Sequence, residues 1–274
     1  MYNHMIEKRE ILNGSIEVYS VLDDSARGLH TASKHEIKAG DDVIINDQIT
    51  RVFEFVTITE FTAFTGVKLT QKHTGKMCGL CSCSTSPYCN GICEKRAKKA
   101  GSICSKCFSF AMNNQYTNLA KMLVSNSEYL YNNIIPDNMI PRLFSETGFF
   151  RFESFGDLAT SIQVVNYFKL AAANKHMQCA LWTKNPWIIK KAMDEYGLTK
   201  PENLQIIGSS CMINKPMIEY YKKYDFIDHV FTVYSKDYVK EHNIDITCGA
   251  RSCATCTKCY TGTHAEYEIR ELLK

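Results

Sequence analysis

The chain of 274 residues has no run approaching 18 consecutive apolar residues, and its opening stretch MYNHMIEKREILNGS carries no apolar segment of the kind found in secretory signals. These absences exclude a membrane-spanning helix from the sequence and lead us to expect a cytoplasmic protein without a membrane partner. Charge of one sign is scarce as well: 32 Lys and Arg against 29 Asp and Glu leave +3, too small a bias to imply nucleic acid by bulk electrostatics. Apolar residues at 45%, aromatics at 11% and charges at 22% exclude an intrinsically disordered or collagen-like chain.

What is abundant is cysteine, 13 residues in a chain long enough to fold without staples. In a reducing compartment such an excess points to metal binding or catalysis more than to disulfides, and the odd total agrees. Seven cysteines fall between Cys78 and Cys107 and four between Cys248 and Cys259, which leaves Cys179 and Cys211 alone.

Residues 1–70 contain no cysteine and read as short strands, Ser15 to Val21, Asp42 to Ile45 and the alternating Thr50 to Ile58, forming a small β-rich N-terminal domain or extension. Residues 71–274 form a second, cysteine-rich domain. From Thr147 onward apolar runs at 149–152, 178–182, 204–207 and 229–233 alternate with helical patterns starting near Ser161, Pro186, Pro216 and Lys236. Asn185 before Pro186, Ser235 before Lys236 and Gly197 supply helix start and stop signals. A further strand is expected at 244–247, and a helix with Leu119, Met122 and Leu123 on its apolar face lies between Cys107 and Glu146. Trp182 and Trp187 read as packing residues. The spacing is that of βα units, and the fold class is α/β. Room for about six units predicts a partial parallel (β/α) barrel, with an open doubly wound sheet as the alternative.

Ligands of parallel α/β folds bind at the carboxyl ends of the strands. Polar and ionisable residues follow every expected strand, and Glu153, Asp157, Lys184 and Cys211 stand out among them. Glu153, Asp157 and Lys184 are candidate catalytic residues. Ser209 and Ser210, within Ile-Ile-Gly-Ser-Ser, are candidates to hydrogen-bond a nucleotide-like cofactor. The basic run Lys95, Arg96, Lys98 and Lys99 reads either as a solvated loop or as a phosphate-contacting wall for a nucleotide or nucleic-acid substrate.

The first cysteine group contains Cys78-x-x-Cys81-x-Cys83, Cys89-x-x-x-Cys93 and Cys104-x-x-Cys107. Thiolates two residues apart can grip one metal from a single turn, as in zinc and iron–sulfur sites. In the second group, Cys253-x-x-Cys256-x-x-Cys259 matches the first three ligands of a ferredoxin-type run, with Cys248 upstream and His264 downstream. Candidate metal ligands are Cys89, Cys93, Cys104, Cys107, Cys248, Cys253, Cys256 and Cys259. Two cofactors remain open: a [4Fe–4S] cluster, whose iron left free by three thiolates can take S-adenosylmethionine, or zinc.

Five stretches together resemble phage proteins of the gene product 88 type, loosely related to the phage gene product 37 and 68 group. They are Cys89-Asn-Gly-Ile, Cys104-Ser-Lys-Cys107-Phe-Ser, Phe150-Arg-Phe-Glu-Ser-Phe-Gly-Asp157, Leu181-Trp-Thr-Lys184 and Cys259-Tyr260. The resemblance spans about residues 75–262 and departs from the family in Phe108, Phe155 and the long insertion after Cys93. It implies a phage origin and a radical-enzyme-like three-cysteine cluster site, here Cys89, Cys104 and Cys107, without supplying a reaction. Two other readings stand beside it. In one, a zinc-stabilised barrel modifies or exchanges nucleobases in phage or host nucleic acid, with Asp157 or Glu153 as nucleophile or general acid/base. In the other, both cysteine groups are structural zinc sites of a non-catalytic host-takeover module. The catalytic readings carry a geometric expectation: the first cysteine group and the strand-end residues surround one cavity, with the second group beside it.

Overall fold

The computed structural model describes residues 55–262 and 266–273 in full, and the backbone of the strands at 4–10, 16–22, 31–35, 42–45 and 48–51. The chain divides into two compact units, Met1–Phe64 with Pro136–Arg142, and Thr65–Ile135 with Leu143–Lys274. The first boundary lies close to the one read at residue 70, but the return of 136–142 to the first unit has no sequence signal. It follows from pairing at Val56, whose N–H donates to the Ile140 carbonyl at 3.1 Å while its own carbonyl accepts from Arg142 N–H at 3.4 Å.

In the first unit β1 (His4–Glu10), β2 (Ile16–Leu22) and β3 (Thr31–His35) form an antiparallel sheet in chain order, and β4 (Asp42–Ile45) pairs with β5 (Gln48–Arg51). The unit is β-rich, as expected. The strand expected at 50–58 is not continuous: β5 ends at Arg51 and Ile58–Thr65 is a helix, α1. Thr57 and Glu60 explain the change. Glu60 N–H donates to Thr57 Oγ1 at 3.2 Å and Thr57 N–H to Glu60 Oε2 at 2.8 Å, a reciprocal capping box that starts a helix against the local alternation.

The second unit is built on one seven-stranded sheet. Its strands are β6 (Thr70–Gln71), β7 (Cys81–Cys83), β8 (Phe149–Phe152), β9 (Gln178–Thr183), β10 (Leu204–Ser209), β11 (His229–Tyr234) and β12 (Glu268–Leu272). They lie side by side in chain order; β6 is antiparallel to β7, and β7 to β12 are mutually parallel. The expected α/β class and six parallel strands are therefore present, in a sheet that is not closed. The helices are α2 (Gly91–Ala97), α3 (Phe108–Gln115), α4 (Thr117–Asn132), α5 (Ser161–Ala173), α6 (Pro186–Tyr196), α7 (Ile218–Tyr221), α8 (Lys236–Glu241) and α9 (Cys253–Cys256).

Alternation along the strands separates two faces. Phe150, Phe152, Cys179, Leu181 and Ile206 are fully buried, and Tyr167 of α5 stacks on Phe152 with ring centroids 4.5 Å apart, which places α5 on this face. The other face presents Phe149, Ala180, Trp182, Ile207 and Phe231. No crossover helix covers this cluster; it packs against Met77, Tyr260, Cys253 and Cys259. The cysteine-rich tail thus supplies the cover that the helices supply opposite.

Several local signals act as read. Ser235 Oγ accepts from Tyr238 N–H to open α8, and Gly197 ends α6 in the left-handed region at φ 63°; the helix expected near Ser161 opens on a cap not singled out in the sequence, Thr160 Oγ1, which accepts from Gln163 N–H. Asn185 precedes α6 as expected, but its side chain makes no cap; its Nδ2 donates instead to the Leu158 carbonyl at 2.7 Å. The helix near Pro216 shortens to α7, and Trp187 is 45% exposed rather than packed. The strand expected at 244–247 is absent. The N–H groups of Thr247 and Cys248 both donate to the Arg270 carbonyl, at 3.1 and 2.9 Å, because the place beside β11 is filled by β12, five residues in parallel register.

Candidate functional site

A small, partly open hollow lies just past the carboxyl ends of β8 and β9. Its lining comprises Cys93, Arg96, Cys104, Cys107, Asp157 and Lys184, with Pro87, Phe110 and Gly156. Three separate pieces of chain place the cysteines. Cys93 lies in the first turn of α2, Cys104 in a 3-10 turn spanning Ile103–Lys106, and Cys107 at the N-cap of α3. Ser102 holds the middle piece: its Oγ accepts from Cys104 N–H and donates to the Cys211 carbonyl, both at 3.1 Å.

Asn90 locks α2 onto the strand ends. Its Oδ1 accepts from Ile92 and Cys93 N–H at 3.0 and 3.4 Å, and its Nδ2 donates to the carbonyls of Asp157 and Leu158 at 3.0 and 3.2 Å. One residue therefore caps the helix carrying Cys93 and binds the turn carrying Asp157. The Asp157 carboxylate is buried and accepts from Leu158 N–H at 2.8 Å, Thr183 Oγ1 at 2.7 Å and Lys184 N–H at 3.0 Å. It joins the ends of β8 and β9. Arg96 Nη1 stands 3.6 Å from Asp157 Oδ2, and its Nη2 donates to the Lys184 carbonyl at 3.1 Å.

The electrostatics divide along the wall. Burial pushes the Cys93 thiol well up, with Asp157 adding to the shift and Lys184 opposing it. Cys211, two residues beyond β10, is also raised by burial while Arg96 and Lys184 pull it back. Burial would depress the Lys184 ammonium, but Cys104, Asp157, Cys211 and Cys93 around it outweigh burial and leave it raised and cationic. The hollow therefore combines soft sulfur donors with two fixed cations.

Glu153 lies behind this wall. It adopts φ 57°, unusual for a residue with a side chain, and its carboxylate is buried. The acid accepts from Thr85 Oγ1 at 3.0 Å, Gln163 Nε2 at 2.7 Å and the Tyr167 hydroxyl. Burial, partly offset by these bonds from Tyr167 and Thr85, pushes its pKa up to about 8. Gly156, at φ 71°, leaves the room: a Cβ there would lie 2.6 Å from the Thr85 carbonyl and 2.9 Å from Glu153 Oε2.

The remaining candidates fall elsewhere. Cys89 is exposed and is not among the lining residues, Cys78 is exposed, and Cys83 is buried in β7. Cys248, Cys253, Cys256 and Cys259 form a second group on the face without crossover helices, not around the hollow. Cys259 feels the charge of the other three and of Arg151, and Cys253 that of Lys76, Arg151, Cys248 and Cys256. Burial pushes Cys259 up to about 12. Lys76 Nζ donates to Cys248 Sγ at 3.1 Å, and Arg151 lies over the Trp182 ring at 3.8 Å. His264 lies outside the described residues. Cys248 does not follow a strand as expected but turns beside Arg270. The Ser210 hydroxyl, buried, pairs with Thr232 Oγ1 at 3.0 Å and accepts from Met217 N–H at 3.1 Å, and the Ser209 carbonyl accepts from Tyr221 at 2.7 Å. Among the described residues no three Cys, His, Asp or Glu side chains converge tightly enough to hold a single metal ion as they stand.

Sequence reasoning missed Asn90, Thr85, Gln163 and Tyr167. Asn90 had a readable signal, an Asn before a helical stretch; the other three could be found only through folding. The class defined by this fold and site is a parallel α/β protein with a strand-end hollow lined by thiols, cations and a carboxylate. Comparison with family models, curated proteins and solved structures finds no match to the chain. No helix among the described residues is long and apolar enough to cross a membrane.

Proposed function

We propose that the chain is an iron–sulfur enzyme of phage type, working on a partial (β/α) barrel of six units, with Cys93, Cys104 and Cys107 as the thiolates of a [4Fe–4S] cluster. The carrying observation is the convergence of these three cysteines with Asp157, Lys184 and Arg96 on one strand-end hollow. The donor chemistry fits: three thiols supply soft ligands, and Lys184 and Arg96 supply positive charge beside an anionic cluster. A single tetrahedral zinc needs its sulfurs within about 3.8 Å of one another, from Zn–S bonds of about 2.3 Å, whereas a cubane holds its thiolates farther apart.

When bound, a three-thiolate cluster leaves one iron to a chelating cofactor such as S-adenosylmethionine and supplies the electron that starts radical chemistry. The chain's own residues have separate tasks. Asp157 fixes the β8 and β9 ends and orients Arg96, Lys184 offers a cation to an anionic group in the hollow, and Glu153 holds the strained turn between Phe152 and Asp157. The stretches that resemble phage gene product 88 proteins contribute Cys104, Cys107, Asp157 and Lys184 to this one place. Cys248, Cys253, Cys256 and Cys259 would hold a second metal centre, with Lys76 and Arg151 balancing its charge.

Anaerobic purification with iron, sulfide and zinc analysis tests the reading. Iron and acid-labile sulfide in equal amounts are expected, with a thiolate-to-iron absorption band. Cys93→Ala, Cys104→Ala and Cys107→Ala should each weaken that band, and Cys89→Ala should leave it. Stoichiometric zinc without sulfide would overturn the proposal.

A further inference from the structure

The hollow's outer wall differs in charge from the rest of this nearly neutral molecule. From Lys95 to Ser127 the chain carries six Lys and Arg and no Asp or Glu. This acid-free stretch is the part of the chain that delivers Cys104 and Cys107. Lys95, Lys98, Lys99 and Lys106 are exposed, and none has a carboxylate within ion-pair distance among the described residues. Some lysines elsewhere pair with acids, as Lys190 does with Asp194, Lys191 with Glu195 and Lys200 with Asp228, while Lys223, Lys236 and Lys240 stand without such a pair among the described residues, so it is the clustering of Lys95, Lys98, Lys99 and Lys106 beside the cysteines that sets the stretch apart. The stretch therefore carries, on these four lysines, a local positive charge that no acid among the described residues balances.

Two exposed aromatic residues directly follow lining residues of the hollow in the chain, Tyr88 after Pro87 and Phe108 after Cys107. Tyr88 is 46% exposed and Phe108, the residue after Cys107, is 56% exposed. Neither is loose. Tyr88 packs edge-on against Phe110 at 4.8 Å and donates to Asn114 Oδ1 at 2.6 Å, and Phe108 rests on the buried Phe155 at 5.6 Å. Half-exposed rings held by their neighbours can serve as stacking platforms, and exposed lysines lying between them in the chain can track a backbone of phosphates.

We propose that the substrate brought to this hollow is a nucleotide within a single-stranded nucleic acid, its phosphates on Lys95, Lys98, Lys99 and Lys106 and its bases stacked on Tyr88 and Phe108. The inference rests on the hollow being an active site and names its substrate class. A single strand suits the geometry better than a duplex because paired bases cannot offer their faces to side chains.

Fluorescence anisotropy with labelled 12-nucleotide dT and U strands, on the protein as isolated and with iron assayed in the same sample, tests it. Binding should weaken with salt, and the triple variant Lys95→Ala/Lys98→Ala/Lys99→Ala should lower the log–log salt slope by about 2, at about 0.7 per lost phosphate contact, and weaken binding at least about tenfold at low salt. Tyr88→Ala and Phe108→Ala should each cost about 5- to 100-fold, and Phe108→Tyr should restore the affinity. An unchanged thermal midpoint checks that the variants fold. Absence of strand binding at low salt, variants that bind like the parent, equal affinity for a duplex, or equal competition by a mononucleotide would each overturn the inference. Iron without strand binding defeats this inference alone, whereas strand binding by iron-free protein defeats only the iron–sulfur reading.

Discussion

Replacing Glu153 with Gln should remove most of the pH dependence of stability in the sheet-bearing unit between pH 5.5 and 7.5. The folded protein holds the Glu153 acid at a pKa of about 8, against about 4.5 for the free side chain. Between those values the folded state keeps a proton that the unfolded chain has lost, so stability is full below pH 4.5 and falls as pH rises toward 8. At about 1.4 kcal/mol per unit, two pH units correspond to a loss of about 2 kcal/mol once partial titration at the upper end is allowed for. The amide of Gln mimics the protonated acid: its oxygen can accept from Tyr167 and Gln163, and its NH2 can face Thr85 Oγ1. The one bond it cannot reproduce is the long 3.3 Å donation from Thr85 N–H to Oε2. The variant should be slightly less stable than the parent at pH 5.5 and more stable at pH 7.5. Urea unfolding at the two pH values, followed by fluorescence of Trp182 and Trp187, reads the effect in the right unit. Parallel curves for parent and variant across this range would refute the assignment of Glu153 as a buried neutral acid.

Gly156→Ala should be one of the most damaging small substitutions, costing more than about 2 kcal/mol, because the left-handed φ and the 2.6 Å approach to the Thr85 carbonyl act together; urea midpoints and soluble yield check this. Asn90→Ala removes four hydrogen bonds at once and should lower metal content at the hollow more than it lowers the thermal midpoint of the unit, as metal analysis beside calorimetry would show. Cys248→Ser should reduce metal bound by the second group while leaving the spectrum of the first, and Cys179→Ala, buried in β9 away from both groups, should leave both metal contents unchanged.

Much of this protein is written locally. The runs at Phe149, Gln178, Leu204 and His229 are strands because consecutive apolar and β-branched residues can be buried on both faces of a parallel sheet, and their spacing leaves room for one helix each. Ser161 and Lys236 start helices because the capping hydroxyl is the preceding residue, and Pro186 because proline suits the first helical position. Cysteine spacing put Cys93, Cys104 and Cys107 among eight candidate ligands but set Cys89, not Cys93, beside Cys104 and Cys107, and strand-end position singled out Asp157 and Lys184, since both arguments need only a few neighbouring positions. Local signals also compete, and at Thr57 a capping box prevailed over an alternating pattern.

Tertiary structure decided what depends on residues far apart in the chain. It set Cys93, not Cys89, on the hollow, because Asn90 ties the start of α2 to the turn at Asp157, 67 residues away. It made Glu153 a buried acid inside a cage of Thr85, Gln163 and Tyr167, and it moved the second cysteine group to the opposite side of Trp182 from the crossover helix. It also filled the place beside β11 with Glu268–Leu272, a strand that the charged residues Glu268, Arg270 and Glu271 conceal in the sequence. Strand and helix signals are read from neighbours within a turn or two, whereas a site is a set of distances between segments, and those distances are set only when the sheet brings its strand ends together.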